Sequence, residues 1–117
     1  MSDRISVPID VTLEYWCGEE ASERPNAHTP VDPAFTNELT IAVRSDEDGI
    51  DPRYQPFLGR AQVHLAGTPR SLEEFGRYLI ALARLETGEP DPHDHFEDVQ
   101  NGEGATVHLI VHRNPPR

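Results

Sequence analysis

Lysine is absent from this 117-residue chain: all ten of its Lys-or-Arg positions are arginine, set against 21 Asp and Glu, for a formal charge of −11. We read the missing lysine as a composition bias. The charge balance says more, because an acidic surface repels nucleic acid and anionic membrane. The expected partner is therefore a cationic or neutral protein, with no nucleic acid and no membrane. Cysteine is nearly absent too. Cys17 stands alone, which excludes an intrachain disulfide framework and fits a reducing cytosol. Met1–Asp10 holds no apolar core of signal-peptide length, and no later run is long enough to span a bilayer. These absences predict a soluble, cytoplasmic protein. Also missing are a G-x-S-x-G elbow, a phosphate-cradling glycine loop and a Cys/His pair at a recognisable spacing, so no catalytic residue is assigned. The length suits a single domain over residues 1–117.

What is present alternates. Ile5, Val7, Ile9, Val11, Leu13 and Tyr15 occupy successive odd positions, the period of a strand with one buried face. Pro8 cannot donate to a ladder, so that strand is expected at a sheet edge or at a bulge. Leu39, Ile41 and Val43 predict a second strand, and Val63 and Leu65 a third. Between them lie two long connections. Cys17–Phe35 contains three prolines, and an acidic loop begins at Ser45 and runs to Leu58. Counted from Asp46, the acidic loop has Asp51 and Phe57 where a calcium-binding EF-hand needs Gly and Glu, so it reads as a solvated loop. Trp16, Tyr54 and Phe57 are the aromatics nearest these loops, where they either close the core or anchor an interface.

Ser71–Glu86 predicts the helix. Thr68-Pro69 offers one start, a cap followed by proline in the first turn; Ser71–Glu74 offers another, a capping box. Leu72, Phe75, Leu79, Leu82 and Ala83 form the apolar stripe, with Gly76 and Ile80 flanking it. Leu79 and Leu82 are expected to pack on Val63, Leu65, Val107 and Leu109, and Gly76 to let the helix approach the sheet. Gly88, Pro90 and Pro92 end the helix. Asn101-Gly102 then signals a two-residue hairpin turn between strands at His93–Val99 and Ala105–Arg113.

That turn places His95 across from His108, Phe96 across from Val107, Asp94 across from Leu109 and His93 across from Ile110. Phe96, Val107, Leu109 and Val111 would face the helix; His93, His95, Glu97, His108 and His112 would share the other face. Cross-strand Cβ atoms lie about 4.5–5.5 Å apart, within reach of one divalent ion. The candidate metal ligands are His93, His95 and His108, with Glu97. The bland alternative is a set of solvated imidazoles on a wet sheet face. The predicted fold is α+β, a mostly antiparallel five-stranded sheet with one helix on one face, in the order β-β-β-α-β-β.

Val63-x-Leu65-x-Gly67-Thr68-Pro69, the Leu- and Ala-rich helix, His93-Asp94-His95-Phe96-Glu97 and the closing apolar strand together resemble the C-terminal part of a family of immunity proteins encoded with bacterial polymorphic toxins. The resemblance runs from Ala61 to His112. It implies a non-enzymatic α+β domain that binds and neutralises a toxin. Acidity suits that work, since nuclease toxins bind phosphate through cationic sites that an acidic protein can occupy.

The leading expectation is thus a small acidic binding protein of immunity type, acting through protein–protein contact and without a cofactor. The alternative is a divalent-metal-binding domain, or a metal-dependent enzyme, with an ion such as zinc on the histidine face. A third is an accessory protein that self-associates into a homo-oligomer through the sheet face the helix leaves open.

Overall fold

The computed structural model describes residues 3–15, 36–45 and 61–116. The loop aromatics Trp16, Tyr54 and Phe57, the whole connection Cys17–Phe35 and the acidic loop beyond Ser45 lie outside these residues. A 3-10 turn at Thr36–Glu38 leads into β1 (Leu39–Ser45). Then come β2 (Ala61–Gly67), α1 (Pro69–Arg84), β3 (His93–Gln100) and β4 (Thr106–His112).

Of the two helix starts, the chain uses the first. Pro69 opens α1, and the Thr68 hydroxyl accepts from the Ser71 backbone N–H at 3.1 Å. Ser71 returns its own hydroxyl to the Thr68 carbonyl at 3.0 Å. Thr68 also donates to Glu38 Oε2 at 3.2 Å, which ties the cap to the entrance of β1. At the other end the carbonyls of the last turn need partners from elsewhere. Ala81 receives the Tyr15 hydroxyl at 2.8 Å. The Arg113 guanidinium donates to Leu82 at 3.0 Å and to Leu85 at 2.7 Å, placing a cation at the negative end of the helix dipole.

The sheet corrects the expected fold class. Among the described residues it has four strands, not five, in the order β2-β1-β3-β4. It is mixed and not mostly antiparallel. β1 pairs antiparallel with β2 from Leu39↔Gly67 to Ser45↔Ala61, joins β3 in parallel at Thr40↔Gln100, and β3 pairs antiparallel with β4. The element order is therefore β-β-α-β-β, with α1 carrying the chain over β1 from one edge strand to the far pair.

The missing strand is the N-terminal segment. Residues 3–15 form no ladder, and Ile5 is 87% exposed, with Val7 and Ile9 nearly as open. Alternation supplies a face, but a strand also needs an edge to pair with, and Pro8 removes one of its donors. The segment lies instead along the outer side of α1. There Ile9 and Val11 border a cleft of about 440 Å³ with Gly76 and Ile80, and Tyr15 bonds the last turn. Gly76 thus faces open space, with nothing within 4 Å of where a Cβ would sit. The close approach is at Gly67, where a Cβ would come within 2.5 Å of the Ser71 hydroxyl and 2.9 Å of Leu39.

The core is Leu39, Tyr78, Leu82, Phe96 and Val99, with Ile41, Phe75, Val107, Leu109 and Val111 packed around it. The helix is therefore turned from the expected stripe. Ser71, Phe75, Tyr78, Leu82 and Leu85 follow helical spacing on the inner face. Leu82 is 3% exposed, but Leu79 is 41% exposed, and Val63 and Leu65 are open as well. The helix packs on core residues of β1, β3 and β4; on β2 it meets the Gly67 end and leaves Val63 and Leu65 open.

The candidate histidine site

The hairpin that carries the histidines closes over more residues than Asn101-Gly102 alone. Asn101 N–H donates to the Ala105 carbonyl at 2.9 Å. The Asn101 side-chain oxygen accepts from the backbone of Glu103 at 2.7 Å and of Ala105 at 3.2 Å. Gly102 and Gly104 both adopt positive φ, 81° and 88°, a region open to glycine at little cost. The second left-handed residue is what lengthens the turn.

The register moves accordingly. His93 pairs with His112, His95 with Ile110 and Phe96 with Leu109, two residues from the predicted partners. A shift of two preserves faces, because side chains alternate with period two. Phe96, Leu109 and Val111 therefore still look toward α1, and His93, His95, His108 and His112 away from it. Between Phe96 and Val99 the ladder is irregular. That bulge carries exposed Glu97 and Asp98 and brings Val99 to the core side opposite Val107.

The result is a row of four imidazoles. His108 Nε2 and His95 Nδ1 are 2.9 Å apart, so one ring presents an N–H and the other its lone pair. His95 and His93 meet edge to face with centroids 5.1 Å apart, and His93 stacks on His112 at 4.9 Å. At the end of the row sits Asp91. Its Oδ1 is 3.1 Å from His112 Nδ1, its Oδ2 is 3.6 Å from His93 Nδ1, and its carbonyl oxygen is 2.9 Å from that same His93 nitrogen.

The predicted ligands His93, His95 and His108 are thus brought together, though His95 and His108 meet diagonally. The atoms that converge within 4.8 Å as a potential ligand set are those of Asp91, His93 and His112; Glu97 belongs to the bulge. Sequence reasoning placed His112 on this face but passed over Asp91. The signal was there, an Asp two residues before the first His, with Pro92 between them to fix the bend.

On the other side of β3, Asp94 is fully buried and accepts the Tyr78 hydroxyl at 2.7 Å. Burial, then this hydrogen bond, then the carboxylate's charge push the Tyr78 hydroxyl well above the ordinary tyrosine range. The pair anchors β3 to the helix, and so sets the height of the histidine row on the opposite face. Among the described residues no helix is long and apolar enough to cross a membrane.

Residues 62–114 match the family model described as Immunity protein 32, just under half of the chain. The match spans nearly all of β2, then α1, β3 and β4. It includes the Tyr78–Asp94 pair and the whole histidine row, and leaves out β1. No curated protein and no solved structure matches the chain.

Proposed function

We propose that this protein is of immunity type: it binds a protein toxin and neutralises it by contact, without chemistry of its own. The observation that carries the reading is the match of residues 62–114 to Immunity protein 32, which covers the helix, its cap and the hairpin, together the source of most of the core. The net charge of −11 supports a cationic toxin surface as the target, because complementary charge speeds encounter and suppresses wrong partners.

The test is co-expression with any toxin gene found adjacent to its own, followed by titration of the two purified proteins. Relief of growth arrest is expected, together with a complex whose association slows as salt rises. Continued arrest with no complex at low salt would overturn the reading. The four-imidazole row favours a second reading, that of a divalent-metal-binding domain.

A further inference from the structure

We propose that Asp91, His93 and His112 form a surface site for one divalent transition-metal ion, with zinc the best fit. Metal binding here requires no toxin.

The strand geometry builds the site. His93 and His112 are directly paired across β3 and β4, so their side chains leave the sheet together on the face away from α1. Both turn the same nitrogen, Nδ1, toward Asp91. The chain reaches back to them because Arg113 N–H donates to the Pro92 carbonyl at 3.0 Å, one step beyond the last ladder pair. Pro92 is itself fully buried. The ligand backbone is thus fixed by hydrogen bonds and packing, and only side-chain rotations remain to be ordered. Preorganisation of this kind lowers the entropy cost of binding.

The distances fit an ion. Bonds of about 2.0–2.2 Å from a tetrahedral zinc set ligand atoms roughly 3.3–3.5 Å apart. Here a single oxygen, Asp91 Oδ2, lies 3.3 Å from His112 Nδ1 and 3.6 Å from His93 Nδ1, and all three ligand atoms fall within 4.8 Å of one another. Small rotations bring both to that spacing. Two imidazoles and a carboxylate suit zinc, nickel or copper, whereas calcium and magnesium prefer all-oxygen shells. Three protein ligands leave a fourth position, which the half-exposed setting opens to water. The acidic chain also concentrates cations near its surface.

In the ion's absence the same nitrogens lie within hydrogen-bond distance of Asp91, His93 Nδ1 of its carbonyl and His112 Nδ1 of its carboxylate. The ion takes the place of these hydrogen bonds, and each neutral imidazole carries its proton on Nε2 once Nδ1 is bound. His95 is next in the row, but its Nδ1 faces His108. That pair stands beside the site and takes no part in it.

The experiment uses the full chain purified without a histidine tag, titrated calorimetrically with zinc chloride. One ion per chain is expected. Asp91→Asn and His112→Ala should each weaken zinc binding by more than about tenfold, a loss of the size seen when metal-site partners are removed. His108→Ala should change it by less than about twofold. Nitrogen-15 shifts of the imidazoles should show His93 and His112 coordinated through Nδ1, a readout that does not depend on variant folding. No zinc binding by the wild-type chain overturns the proposal. So does an equal loss in His108→Ala, which would put the ion between His95 and His108.

Discussion

The Tyr78 hydroxyl and Asp94 Oδ2 meet at 2.7 Å with both residues shut away from solvent, and this contact joins the centre of the helix to the strand that bears the histidines. Tyr78→Phe removes a donor from a buried carboxylate, at a cost of about 1.5–3 kcal/mol. The pair also sets a dependence on pH. The Tyr78 hydroxyl is raised in the folded state by burial first and by Asp94 second, from an ordinary value of 10.0. The unfolded chain therefore releases this proton first, and stability from this group is complete below about pH 10 and falls as pH rises above it. Urea midpoints for the wild type and Tyr78→Phe between roughly pH 8 and 11 should converge toward the alkaline end. Parallel curves across that range would contradict this account.

Leu82 and Leu79 should respond differently to truncation. Leu82 is in the core and Leu79 is partly open, so Leu82→Ala should cost about 2–5 kcal/mol and Leu79→Ala clearly less. Chemical denaturation of the two variants checks the rotation of the helix. Equal losses would mean that Leu79 is also part of the core.

Gly67→Ala should destabilise the chain, because the added methyl meets the Ser71 hydroxyl and Leu39 at distances closer than packed atoms tolerate. Overpacking of this kind costs about 1–3 kcal/mol. Gly76→Ala should do the opposite. Its position is open, and alanine gains up to about 1 kcal/mol over glycine inside a helix. Thermal melting of both variants gives the two signs in one experiment.

Arg113→Met keeps the aliphatic stem but withdraws the charge and both donors from the end of α1. A loss of about 1–2 kcal/mol is expected, with faster amide exchange in the last helical turn. Uniform exchange along α1 in both proteins would show that Arg113 does not hold that end.

How far the sequence could be read depended on whether a local rule was enough. Thr68-Pro69 and Ser71–Glu74 were both legible as helix starts, because caps and first-turn prolines act within one turn of chain, but local pattern did not choose between them. The faces of His93–Phe96 and of β4 were legible from alternation and turn chemistry, and they survived a two-residue change of register because parity did not change; past the bulge, Val99 was not. The histidine row was therefore visible in outline, as His93, His95, His108 and His112 on one side.

Other features depended on what lies across the fold. Ile5 to Tyr15 alternate as well as any strand here, yet alternation cannot supply an edge to pair with, and the segment runs along the helix instead. The apolar arc of α1 is broad enough to permit more than one rotation. The buried Asp94 on β3 favours the one that brings Tyr78 inward, at the expense of Leu79. Nor could local pattern insert β1 between β2 and β3, since strand order is a property of the assembled sheet. The proposed metal site shows the same division. Alternation put the imidazoles on one face, but the carboxylate of Asp91 joins His93 and His112 only because the bend at Pro92 is bonded to the end of β4.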